Sequence, residues 1–268
     1  MIRDVPWAES SIEHPVSSIW HLFYNQELFM LIEAITMIEF EEQLKKSQTV
    51  VIPIGSVEEH GPHLPLSTDT VHAYEVSRQA CEKTGAFLAP PVHYGICRST
   101  GQHPGTISIS SETLRGLLKD IGRSFYQHGL RNFVFLSGHA GGTHTAAMLE
   151  AGEFLLEQHS GIKVASLNIL ELGLRGWMPI IETKDDSHAG ELETSVMMIL
   201  RPDWVKGNGT REYPSFPEGI LVRDKRRFWP GGVWGDPSKA TPEKGSRCLE
   251  TVVEALVQLI EKLENWKE

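Results

Sequence analysis

Positions 55–69 read GSVEEHGPHLPLSTD, a short stretch that gathers Glu58, His60, His63 and Asp69. Carboxylates and imidazoles are the side chains that hold divalent cations such as zinc, manganese and iron. The stretch follows an apolar run, TVVIPI at 49–54, that reads as a buried parallel strand. In open α/β sheets, sites lie just beyond the carboxyl ends of the strands, which is where these residues stand. A histidine taken alone is more often an ordinary polar residue than a ligand. Here eight of the twelve histidines fall between His60 and His144, and Glu58, His60 and Asp69 share one glycine- and proline-rich turn. That grouping favours a metal site.

Three further segments carry candidates. LSGHAGGTH at 136–144 sets His139 after the third strand, although a glycine-rich turn packing a helix onto the sheet explains it equally well. No P-loop lysine follows, so phosphate binding is weakly supported. In DSHAGELETS at 186–195, an apolar helical face of Leu192, Val196, Ile199 and Leu200 encloses Glu193 and leaves Glu191 outside. A carboxylate aimed at a core is costly unless paired or bound to a metal. His188 stands at the helix start, where it can face the same site. In STGQHPGT at 99–106, His103 is either a substrate contact or part of a structural turn. Ser56 and Ser137 lack a GxSxG elbow, which argues against a serine hydrolase.

Positioning these residues requires alternating strands and helices. After the strand at 49–54 the pattern predicts a helix at 69–85, a strand at 86–92 and a helix from Ser110 or Ser111 to about Gly129. A strand at 132–136, a helix at 141–158, a strand at 163–170 and helices at 188–200 and 242–265 follow. Repeated βα units imply a mostly parallel sheet covered by helices on both faces. Residues 208–245, rich in Gly, Pro and aromatics, break the rhythm and suggest a lid, a subunit contact or a mobile loop.

With 268 residues and 40% apolar content, the chain suits one large α/β domain. A net charge of −10 without a basic stripe argues against a nucleic-acid partner. Cys81, Cys97 and Cys248 are widely spaced and read as free thiols in a reducing cytoplasm. There is no membrane-length apolar stretch and no basic n-region before an apolar one, so a cytoplasmic protein is expected.

Taken together, GSVEEHGPHLPLSTD, HPGTISISSETL, SGHAGGTH, HAGELETS and GDPSKATPEKG resemble the creatininase (creatinine amidohydrolase) family, in order and spacing. The resemblance implies a three-layer α/β/α sandwich and two divalent metal ions per subunit (Zn, Mn or Fe). It also implies a small-molecule substrate and a homo-oligomer, often a hexamer. Carried over by position, Glu58 and His139 bind one metal, His60 and Glu193 the other, and Asp69 bridges them. His188 and Glu193 take the catalytic roles, with His188 handling the proton, while His103, Gly138 and Gly141 meet the substrate. The implied reaction is hydrolysis of a non-peptide C–N bond by a metal-bridging water; the alternatives are a metal-dependent phosphoesterase or a non-catalytic metal-binding member. Creatinine hydrolases carry a glutamate where Gly141 stands here, and many relatives have asparagines at Ser137 and Gly142. The family pattern starts near Met30, so residues 1–29 are expected to be a poorly ordered extension ahead of a single domain at 30–268.

Overall fold

The structure, a computed structural model, describes residues 31–267; the expected N-terminal extension lies outside the described residues. Helix α1 (Met37–Leu44) opens with a capping box between Thr36 and Glu39 and leads into β1 (Thr49–Ile54). Then come α2 (Thr68–Thr84), β2 (Phe87–Leu88), α3 (Ser111–Gln127), β3 (Asn132–Ser137), α4 (Gly142–Gln158) and β4 (Lys163–Asn168). Helices α5 (Ile169–Trp177), α6 (Glu191–Leu200) and α7 (Pro242–Asn265) complete the order. No helix among the described residues is long and apolar enough to cross a membrane.

The four strands among the described residues are all parallel, in the order β2-β1-β3-β4. Alternation along the central strands sends side chains to opposite faces. Val50, Ile52, Ile54, Phe133 and Phe135 join a core with Leu114, Leu118, Met148 and Leu155 of α3 and α4. Val51, Val134 and Leu136 join the other core, with α2, α5, α6 and α7. The result is the expected α/β/α sandwich. Because β1 leads to β2 on one side and β3 leads to β4 on the other, the chain reverses its direction of progress between β1 and β3. Their aligned ends, Ile54 and Ser137, mark the crevice where such sheets build sites.

Several local expectations need correction. The strand expected at 86–92 contains only two ladder residues, because prolines 90 and 91 follow closely. The strand expected to reach 170 stops at Asn168, whose side chain caps α5 in a reciprocal box with Glu171. Helix α6 begins at Glu191 rather than His188, since Ala189 takes a positive φ of 48° and Asp186 caps the main-chain N–H groups of Glu191 and Leu192.

Glu191 is wholly buried, although the helical wheel leaves it outside the apolar arc. Its carboxylate accepts from the Thr183 main chain at 2.7 Å and hydroxyl at 2.6 Å, and pairs with Lys244 Nζ at 2.5 Å. Lys244→Met is therefore expected to destabilise the fold by about 1.5–3 kcal/mol, the scale of hydrogen bonds to charged groups. Denaturant unfolding of the two proteins measures it; an unchanged midpoint would show that Thr183 and the Glu182 main chain suffice to hold the carboxylate.

Candidate metal centre

The ends of β1 and β3 let the first turn of α2 approach unusually closely. A Cβ at Gly55 would lie 2.1 Å from Thr70 Oγ1, and one at Gly138 would lie 2.0 Å from the Asp69 carbonyl oxygen. Glycine at both strand ends thus seats Asp69, in the first turn of α2, between the loops after β1 and β3. A carboxylate is favoured there by the helix dipole as well.

Around Asp69 the sequence candidates converge. His60 Nδ1 lies 3.1 Å from the Glu58 carbonyl, which orients Nε2 to within 3.0 Å of Asp69 Oδ1 and 3.7 Å of Glu193 Oε2. His139 Nε2 lies 3.1 Å from the Ile96 carbonyl, and its Nδ1 is 2.7 Å from Glu58 Oε2 and 3.2 Å from Asp69 Oδ2. In each ring, one nitrogen is tied to a main-chain carbonyl, and that contact orients the other toward the carboxylates, as in metal-ligating imidazoles. Asp69 Oδ2 accepts from Ser56 Oγ at 2.6 Å, Glu58 Oε1 from the Thr100 hydroxyl, and Glu193 Oε2 from the Ala189 N–H at 2.5 Å. All five side chains are buried.

Electrostatics reinforce the picture. Burial alone would depress His60, but the Asp69 and Glu193 carboxylates overcome it and raise the imidazole to about 10. His139 is likewise raised well above its usual value: burial opposes this, and Glu58 and Asp69 prevail. Asp69 is held well below the carboxylate range by the two imidazoles, against its own desolvation. Burial pushes Glu193 up. Three buried carboxylates are gathered here, and among the described residues no lysine or arginine lines the cavity they share. Such a cluster is costly unless cations compensate it. Glu58 Oε2 is buried and faces only the His139 ring, with no hydroxyl or main-chain donor on it. The oxygen-rich donor set and the oriented imidazoles fit divalent cations.

A cavity of about 220 Å³ opens from the cluster, lined in part by Gly138, Gly141, His188, Trp229 and Trp234. The ring of His188 lies over that of His60 with centroids 4.2 Å apart, and its Nε2 is 2.8 Å from the Glu59 carbonyl. Trp229 meets His188 edge-on at 5.3 Å, and the Trp234 main chain pairs with that of His188. The irregular stretch at 208–245 thus supplies a wall of the cavity. A larger cleft of about 680 Å³, at Ile32, Phe40 and Phe125, holds no comparable donor cluster among the described residues.

His103 does not line the cavity, contrary to the expectation of substrate contact. Its ring nitrogens face the main-chain carbonyls of Trp229 at 2.7 Å and Thr100 at 3.2 Å, so it braces the wall from behind. His63 is bonded to Thr194 at 2.8 Å, and His144 sits behind His139 against Ser137. Burial lowers these two to about 4 and about 3, which keeps them neutral. Sequence reasoning did not single out Cys97, whose Sγ lies within 4.8 Å of donor atoms of Glu58 and His139. Only tertiary structure brings it there.

Gly141 has a specific steric role. A Cβ at this position would lie 2.5 Å from His139 Nε2, the atom bonded to the Ile96 carbonyl. Gly141→Ala should turn the ring and weaken cation binding by about 10–100-fold, the usual effect of disturbing an outer contact of a ligand. Titration with Zn²⁺ measures this, with circular dichroism reporting the fold; an unchanged affinity would contradict the steric account.

The Creatininase family, described as creatinine amidohydrolase, matches residues 33–260. The mycofactocin precursor peptide peptidase of Mycolicibacterium smegmatis (strain ATCC 700084 / mc(2)155) is 34% identical over 80% of this chain and 84% of its own length. Among solved structures, a creatininase with Mn aligns at a TM-score of 0.78, with 25% identity, over 87% of this chain and 98% of that one. A mutant creatininase of Zn-Zn type gives a TM-score of 0.79 at the same identity and coverage.

Proposed function

The chain belongs to the creatininase family, whose relatives include hydrolases, and on that premise we propose a metal-dependent hydrolase of a non-peptide C–N bond, in a cyclic amide or formamide. The observation that carries this reading is the buried cluster of Glu58, His60, Asp69, His139 and Glu193, which no lysine or arginine among the described residues compensates and which opens to a small cavity. At about 220 Å³ that cavity falls below the usual range of about 300–1,000 Å³ for drug-sized ligands. It suits a small substrate.

In this proposal Glu58 and His139 hold one cation, His60 and Glu193 the other, and Asp69 both. Zinc, manganese and iron all match the donors, and two of the similar structures carry Mn or Zn. Divalent cations bound there supply Lewis acidity and make water a stronger nucleophile near neutral pH. The protein's own groups do the rest. Main-chain N–H groups in the turn around Gly138 and Gly141 orient the substrate carbonyl. His188 delivers a proton to the departing nitrogen, which is a poor leaving group without one. Trp229 and Trp234 limit access of bulk water, and His103 keeps Trp229 in place. Absence of lysine and arginine from the cavity lining disfavours a phosphoesterase. Assembly as a homo-oligomer, hexameric by family resemblance, belongs to the same proposal.

A second reading has one observation behind it: the 34% identical relative is a peptide peptidase, so a peptide end is also a candidate occupant. The deciding experiment is purification without added metal, elemental analysis, and assays on cyclic amides, formamides, creatinine and short peptides. Two cations per chain and turnover of a non-peptide amide are expected. Turnover confined to peptides would establish the second reading. Creatinine should be a poor substrate, since Gly141 brings no carboxylate; a rate within about 1–1,000 per second on it would refute this.

A further inference from the structure

We propose that Cys97 is a thiolate ligand of the cation held by Glu58 and His139, so that one half of the centre has a sulfur donor and favours zinc over manganese. The proposal rests on the metal-centre reading above and extends it to a residue type that the chemistry of that reading does not require.

The three cysteines have different surroundings. Cys81 and Cys248 are buried in the apolar core on the α2/α7 side of the sheet. Cys97 is equally buried, at 1% exposure, yet its neighbours are a carboxylate, an imidazole and the Ser56 hydroxyl. Its Sγ, a Glu58 carboxylate oxygen and a His139 ring nitrogen all lie within 4.8 Å of one another. A zinc ion with bonds of about 2.0–2.3 Å spans such a set after small side-chain adjustments.

Its backbone is fixed in that position. Ile96 accepts from His139 Nε2 through its carbonyl and donates its N–H to His144 Nδ1 at 3.2 Å, while the Cys97 N–H donates to Ser108 Oγ at 2.9 Å. The Cys97 main chain is thereby anchored beside the His139 ring, whose Nδ1 faces Glu58. Glu58 Oε2 is also buried and takes no hydroxyl or main-chain donor; it faces the His139 ring, with Nδ1 at 2.7 Å.

The two halves of the centre differ accordingly. His60, Asp69 and Glu193 form the second group, with oxygen and nitrogen donors only. Thiolate ligands select zinc-like ions, whereas carboxylate-rich sets suit manganese. On coordination the thiol gives its proton to solvent and the sulfur donates a lone pair; no oxidant or reductant enters.

The test uses the full chain, stripped of metal by a chelator and titrated with Co²⁺. A bound cobalt ion shows visible d–d bands, and a thiolate ligand adds intense near-ultraviolet charge-transfer absorption. Both are expected in the wild-type protein, and Cys97→Ser should lose the near-ultraviolet band while keeping visible bands. Its preference for Zn²⁺ over Mn²⁺ should also fall by roughly tenfold or more, on the scale of lost ligand support. Visible bands without the charge-transfer band in wild type, or a band that survives in Cys97→Ser, would overturn the proposal and leave the metal-centre reading intact. No cobalt bands at all would overturn both. If Cys97→Ser fails to fold, X-ray absorption at the zinc edge of the wild-type protein decides: a sulfur neighbour at about 2.3 Å supports the ligand, and its absence rejects it.

Discussion

Asp69→Ala is expected to abolish turnover and strip the centre of cations while leaving a folded sheet. Asp69 is the one carboxylate whose two oxygens face different imidazoles, Oδ1 toward His60 at 3.0 Å and Oδ2 toward His139 at 3.2 Å. Glu58 pairs directly with His139, and Glu193 lies nearest His60. Loss of Asp69 also removes the acceptor of Ser56 Oγ and a charge favoured in the first turn of α2, so a modest drop in stability should accompany the loss of metal. Elemental analysis and a panel assay check both parts. Full metal content in the alanine variant would show that the cations sit elsewhere.

The second large effect has a different signature. His188→Ala should retain metal and fold but lose about 100- to 10,000-fold in rate, the usual contribution of a general acid or base. Nε2 of His188 faces the Glu59 carbonyl, which leaves Nδ1 as the nitrogen able to exchange a proton in catalysis. The ring packs on His60, and its donor atoms also group with those of Glu58 and His60. Metal content therefore separates the possibilities. A variant that is inactive and metal-loaded supports proton transfer, whereas an empty one would make His188 a ligand.

Those arguments start from residues that are conspicuous in the chain itself. Glu58, His60 and Asp69 share one short turn, and His139 follows an unmistakable strand, so local pattern suffices to nominate them. The strand at Thr49–Ile54 and the helix at Pro242–Asn265 are equally legible, because a continuous apolar run and a long amphipathic repeat speak for themselves. Non-local contacts are not legible in this way. Glu191 looks exposed on a helical wheel, yet its partners Thr183 and Lys244 come from other parts of the chain. Cys97 carries no motif and matters only because Ile96 is fastened between His139 and His144. Helix α5 is an intermediate case: the Asn168–Glu171 capping pair was written in the sequence but masked by the apolar run before it. His103 fails for the opposite reason, since a histidine in a glycine-rich turn reads the same whether it faces the cavity or the wall behind it.

The contact between α6 and α7 has a consequence for biosynthesis. A Cβ at Gly245 would lie 2.0 Å from the Ser195 carbonyl, Thr241 donates to Ser195 Oγ, and Lys244 grips Glu191, so the helix carrying Glu193 is clamped by residues made about fifty positions later. Domains fold as their chain emerges from the ribosome, N-terminal parts first. Glu58, His60, Asp69 and His139 are all translated before Glu193, and Glu193 gains its fixed position only when α7 has cleared the exit tunnel and docked. A nascent chain thus offers an incomplete donor set until α7 has docked, and the proposed site of His60 and Glu193 is complete only after that step.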